Sequence, residues 1–415
     1  MQLHWLTSLC IVGTCSSQFA LPPGTVDVPS PRPGDCNAEG PAEYVYSMST
    51  AKANDFFPEI CKDSGGVEVH FNNPCAWAHG QAQMTVAHFT KMCKGATRTI
   101  HWHQTADEWG YVNKGLLFTY VASPDGLPWP SSTNLLRERG VWYFPAGWLH
   151  GLTCYTPEEE GGCEFTIFFA SPQAAEPNSH NLDTTMAQAP VEVAAQALQL
   201  HPHQFAAMRP AFAKAEHSVH YTNFNMTAPI VTKVAPGVCE PRCPKVHETI
   251  AAPAALNAEG IEQRVVLPGT SGVTLYRIRT EQFPFARTMS QERAELQPSA
   301  FRPMVWASAD AILIVSKGSV HLTMEGGLPG DEAKKSFSGL LKRGDVAYLP
   351  NGRAFWYTEA TGEESAETLT VFNVGNWKSF EMSQSMQEMP IMAVMSNLHV
   401  EKWPGDKDDY AQSDL

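Results

Sequence analysis

The residues best suited to chemistry are His101-Trp102-His103, then Glu108 after a short polar corner, then His150 at the close of Tyr143-Phe144-Pro145-Ala146-Gly147-Trp148-Leu149-His150. In a β-strand, side chains i and i+2 leave on one face, so His101 and His103 project together while Trp102 turns away. Glu108 opens an apolar Glu-Trp-Gly-Tyr-Val run, and His150 follows a Pro-Ala-Gly turn. Three imidazoles and one carboxylate meeting at one point make a site for a divalent transition metal, suited to Mn, Fe, Zn or Cu. With 15 His in 415 residues, a bare His-x-His is cheap. It arises by chance roughly half a time per chain, and an acidic residue at the right offset lowers that to roughly 0.05. His201-Pro202-His203 has no such partner and reads as surface.

Such ligands need strands that share a lumen. From Gly65 the chain runs in short apolar stretches broken by Gly, Pro and Asn: Val67-Val69, Ala82-Phe89, Arg98-His103, Trp109-Val112, Leu116-Val121, Val141-Phe144 and Cys163-Phe169. Many short strands at close spacing predict an all-β sandwich or barrel whose strand interiors alternate in and out. The rhythm returns from Ile261, through Val273-Ile278, Met304-Trp306, Ala311-Val315, Val320-Met324, Val346-Leu349 and Leu369-Val374. Between them, Pro190-Val191-Glu192-Val193 begins a helical pattern with proline in its first turn. The predicted organisation is an arm over 18–64, a first barrel over 65–189, a helix and linker over 190–258, a second barrel over 259–400 and a polar tail over 401–415.

Length suggests two or three domains. The formal net charge is −14, with no basic cluster interleaved with aromatics, which argues against nucleic acid as a partner. An acidic surface repels a dianion, so any anion site must be made locally positive by a metal and an arginine. Residues 1–17 are a short apolar run followed by small residues, which reads as a signal peptide and a secretory route. Removing them leaves eight cysteines, an even number as an oxidising compartment allows. Cys154 with Cys163, Cys75 with Cys93, and a local Cys239–Cys243 bridge are the pairings considered. Asn225-Met226-Thr227 is a glycosylation sequon, and no other segment is long and apolar enough to span a membrane.

The runs Arg98-Thr99-Ile100-His101-Trp102-His103, Glu108-Trp109-Gly110-Tyr111-Val112, Trp142-Tyr143-Phe144-Pro145-Ala146-Gly147 and Gly162-Cys163-Glu164-Phe165 closely resemble the first cupin of the bicupin oxalate decarboxylases. The resemblance implies two jelly-roll β-barrels, with Mn held by His101, His103, Glu108 and His150, and conversion of oxalate to formate and CO₂ with O₂ as partner. It gives Arg98 the part of orienting the substrate, although Arg98 stands three residues before His101, out of phase with the ligand pair in a regular strand. It places Glu176 at the acidic position of a lid that returns a proton; Pro177 beside it departs from the family. In the second barrel, counting from Gly318 and Pro350, the ligand positions fall on Met304, Trp306, Ala311 and Phe355, so that barrel is expected to hold no metal. Two alternatives share the first site: an oxalate oxidase-like enzyme releasing CO₂ and hydrogen peroxide, and a non-catalytic metal-binding or storage cupin. The resemblance also implies further association into a homo-oligomer.

Overall fold

The computed structural model describes residues 25–28, 45–47, 65–71, 84–122, 132–171, 179–213, 219–221, 255–257, 261–267, 270–325 and 337–399. The segment 1–17 read as a signal peptide, Cys75, Glu176, Asn225, Cys239, Cys243 and the segment 401–415 lie outside them.

Two β-barrels account for the described strands, each built from a pair of facing sheets. In the first, one sheet carries Glu108–Lys114 between Cys163–Phe169 and Gly140–Phe144, and the other carries Leu149–Cys154 between Ala96–His103 and Leu117–Ala122. Alternation builds the interior: in Leu117–Ala122 the buried residues are Leu117, Thr119 and Val121. Gly110 sits where the sheet leaves no space, since a Cβ there would meet the Trp142 ring at 1.8 Å. The second barrel repeats the plan with Ala311–Lys317 between Ala366–Phe372 and Asp345–Leu349, facing Ala354–Glu359 between Phe301–Ala307 and Ser319–Met324. Each barrel passes through a short strand into helices, Ser179–Asn181 into Leu182–Gln188 and Val191–Ala197, and Ser379–Glu381 into Met382–Glu388 and Ile391–Asn397.

The arm and linker do more than connect. Val45–Ser47 adds to Asp345–Leu349 of the second barrel, while Ala255–Asn257 adds to Gly140–Phe144 and Val219–Tyr221 to Ala96–His103 of the first. A sheet edge supplies the backbone partners that a three-residue strand lacks by itself, so these strands left no periodic signal in the sequence. Helix Pro202–Ala213 also falls in the stretch read as helix and linker, and buries Phe205 against Ala194 and Ala195. Among the described residues no helix is long and apolar enough to cross a membrane. Cys154 and Cys163 form a disulfide. Cys93 is also disulfide-bonded, to a partner outside the described residues.

The outer faces of the two larger sheets pack together. Trp109, Tyr111, Val141, Tyr143 and Phe168 of the first barrel share one buried cluster with Phe283, Ile312, Ile314, Val346 and Tyr348 of the second. At one rim of this interface a cavity of about 140 Å³ is lined by His88, Asn113, Glu164 and Arg343. Arg343 donates to both Glu164 oxygens at 2.9 and 2.7 Å. Burial, with Arg343 nearby, lowers the pKa of His88 to about 4. An imidazole at its ordinary value takes up a proton near 6.5 when unfolded but not when folded, so acid favours unfolding. The penalty sets in below pH 6.5 and reaches on the order of 3 kcal/mol near pH 4. Thermal midpoints of the His88→Gln variant are therefore expected to fall less steeply from pH 6.5 to 4 than those of the wild type. Parallel pH profiles would remove His88 as a source of acid sensitivity.

Candidate metal centre

Glu108 enters from one sheet of the first barrel, and His101, His103 and His150 from the other. Registry makes them converge, since His150 lies opposite His101 and Glu108 opposite Phe144 and Phe169. All four are buried, and one ligand atom from each can be chosen so that all lie within 4.8 Å of one another.

The rings are held by the backbone. His101 Nδ1 bonds the Thr99 carbonyl at 2.7 Å and His150 Nδ1 the Trp148 carbonyl at 2.8 Å, which turns each Nε2 lone pair toward the centre. His103 packs edge-on to Phe169, and His150 stacks on Phe144. His103 Nε2 and His150 Nε2 each lie 3.2 Å from Glu108 Oε2, and neither His150 Nε2 nor Glu108 Oε2 has a hydrogen-bond partner. Buried polar atoms left this way are costly unless an ion satisfies them, so the donor set fits a divalent metal.

Burial lowers the pKa of His101 well below the ordinary imidazole value, with Arg98 and the neighbouring imidazoles adding to the effect. Burial also lowers that of His103, against the pull of Glu108. For Glu108 burial acts upward, but His150 and His103 outweigh it and hold the carboxyl below the usual carboxylate range. The directions for His101, His103 and Glu108 favour neutral imidazole and ionised carboxylate, the forms in which such groups ligate a metal.

Trp142 belongs to this site. It lies opposite Gly110, two residues past Glu108, and its Nε1 donates to Glu108 Oε1 at 2.7 Å. The bare Gly110 is what lets the indole lie across the strand, and glycine two residues after an acidic ligand was the available clue. One carboxylate oxygen is thus fixed by the indole while the other faces the imidazoles. Trp142→Phe is expected to weaken metal binding about tenfold to a hundredfold, as removing an outer partner of a ligand does. Titration of metal into metal-free protein checks this, and wild-type affinity would make Trp142 a packing residue only.

Arg98 is carried onto the ligand face by an irregularity. Between His150 and Leu152 one strand advances two residues while the other advances three, from His101 back to Arg98. The extra residue corrects the phase that a regular strand would impose, so the out-of-phase expectation does not hold. Arg98, half-buried, donates from Nη1 to Asn181 Oδ1 at 3.5 Å, and Asn181 lies opposite His101 on the neighbouring strand. Glu176 lies outside the described residues.

In the second barrel strand pairing moves two counterparts by one residue. Val305 pairs with Glu381 and Phe355 as His101 pairs with Asn181 and His150, so the counterparts of the ligands are Val305, Ala307, Ala311 and Phe355. Met304 and Trp306, expected by counting, point to the other face, because the turn before Ala311 is one residue shorter and a single-residue slip reverses every side chain. All four counterparts lie in the apolar interior of that barrel. Arg302 takes the place of Arg98 across the same irregularity. It is fully buried and bonded to Glu381 and Glu292.

Comparison with known proteins agrees with this geometry. The family model described as Cupin matches residues 65–205 and again 268–402. The oxalate decarboxylase of Arthroderma benhamiae is 22% identical over 321 residues, covering 72% of this chain and 69% of that protein. Among solved structures, the Lactobacillus farciminis oxalate decarboxylase in its formate complex superposes with a TM-score of 0.67 at 17% identity, over 88% of this chain and 96% of that one. Bacillus subtilis oxalate decarboxylase superposes with a TM-score of 0.67 at 18% identity, over 89% of this chain and 86% of that one.

Proposed function

This chain belongs to the cupin family, and on that footing we propose that it is an oxalate decarboxylase-like carboxy-lyase with one metal centre, in its first barrel. The observation that carries the reading is the convergence of the buried His101, His103, Glu108 and His150 on one point. The relatives named oxalate decarboxylase support oxalate as substrate. These four residues would hold the metal, with Mn the ion proposed. When bound, it would supply Lewis acidity toward a carboxylate, and O₂ is proposed as a partner that the decarboxylation does not consume.

The chain's own part is to bind, orient and return a proton. Arg98 offers a planar guanidinium suited to bidentate grip of a carboxylate at the lumen face. Breaking the C–C bond of oxalate releases CO₂ and leaves a carbon that must take one proton to become formate; Glu176 is the proposed donor. Pro177 beside Glu176 favours the second reading, in which proton return fails and oxalate and O₂, with two protons, give two CO₂ and hydrogen peroxide. The apolar run 1–17, the sequon at Asn225 and the Cys154–Cys163 disulfide support a secreted protein.

Purified protein loaded with Mn and supplied with oxalate is expected to give formate over many turnovers and little peroxide. Peroxide as the main product would transfer the assignment to the oxidase reading, and neither product would leave a metal-binding cupin. Elemental analysis is expected to find close to one ion per chain; two would contradict an empty second barrel.

A further inference from the structure

Glu108 faces the lumen, so its neighbours Asp107 and Trp109 face away from it, toward the second barrel. Each is held by a side chain of that barrel. Thr288 donates its hydroxyl to Asp107 Oδ2 and is itself bonded to the Tyr143 hydroxyl at 2.7 Å. Because threonine has one hydroxyl proton, Tyr143 is the donor to Thr288. Trp109 Nε1 donates to Gln291 Oε1 at 3.0 Å, with both side chains fully buried.

The linkage reaches the other ligands. Asp107 Oδ1 accepts from the Ala146 amide at 2.7 Å, and the Gly147 amide donates to the His103 carbonyl at 2.7 Å. Ala146 and Gly147 form the turn that leads to His150, and Phe285 of the second barrel packs edge-on against Trp148 in that approach. The segment of the second barrel between Ile278 and Glu292 thus touches the backbone supports of His103, Glu108 and His150. In the first barrel a ligand displaced by a fraction of an ångström loses its donor geometry, and outer partners are what prevent this.

We infer that Thr288 and Gln291 are positioning residues for the metal centre: the second barrel, apolar at its own ligand positions, grips Glu108 from both sides and sets the geometry of the first barrel's site. This rests on the metal-centre reading above. It is tested on the full chain by titrating Mn into metal-free protein, by the electron paramagnetic resonance spectrum of the bound Mn, and by the thermal midpoint without metal. Thr288 is exposed, so Thr288→Val removes the hydroxyl at little cost in folding. It is expected to weaken Mn binding about tenfold to a hundredfold and broaden the spectrum, with Thr288→Ser restoring both. The buried Gln291→Met is expected to act in the same direction. Arg343→Ala, which breaks a cross-barrel contact remote from Glu108, is expected to leave Mn affinity unchanged. Wild-type affinity and spectrum in Thr288→Val would overturn the inference, as would an equal loss in Arg343→Ala, which would mean that any loosening of the barrels suffices. Wild-type protein that takes up no metal would instead overturn the metal centre itself.

Discussion

Glu108→Gln is expected to abolish formate production and to leave the protein with little bound metal. The variant keeps the shape of the side chain and an oxygen for the Trp142 indole, so the barrel should fold. What it loses is the anionic donor among three neutral imidazoles. Charge stabilisation by a bound metal is worth several kcal/mol, and at 1.36 kcal/mol per decade this corresponds to a loss of roughly a thousandfold. Elemental analysis after dialysis, together with a formate assay at saturating Mn, measures both quantities. A variant that retained one ion per chain and turned over within tenfold of the wild type would remove the carboxylate from the ligand set.

The second large effect is expected from Glu176→Gln, which should suppress formate while metal content stays at the wild-type level. Proton delivery by a positioned side chain contributes about a hundredfold to ten-thousandfold, and the amide cannot supply it. Assaying formate and peroxide on the same sample shows where the oxalate goes. Formate lost with peroxide gained means that the same centre now runs as an oxidase, and Glu176 is the group that separates the two outcomes. An unchanged formate yield would take Glu176 out of the mechanism and require another donor.

Much of the centre was legible because its residues lie close together in sequence. His101, His103 and Glu108 occupy one strand–corner–strand unit, where strand periodicity alone brings the two imidazoles to one face. Arg98 shows the limit of that reasoning: counting by twos put it out of phase, and an irregularity visible only in the pairing with Leu149–Cys154 brings it back. The second barrel shows the same limit. Glycine and proline landmarks located its four ligand positions to within one residue, but a turn one residue shorter exchanged Met304 and Trp306 for Val305 and Ala307. The conclusion that those positions are apolar survives the exchange because both faces of that strand lack ligands. The role of Trp142 was not legible, because its partner Gly110 is far away in sequence and the hydrogen bond to Glu108 depends on the neighbouring strand.

By itself the sequence determined the fold class, the repeated barrel and the four candidate donors that the structure brings together. Each of these follows from local patterns: alternation, turn residues and donor spacing. Only the tertiary structure decided which oxygen of Glu108 faces the imidazoles, how Arg98 returns to the ligand face and how the arm and linker complete the sheets. It alone also revealed that Thr288 and Gln291, distant in the chain, hold the neighbours of Glu108. These features arise from register and from packing between barrels, where a shift of one residue or one hydrogen bond reverses the outcome, and no local pattern records them.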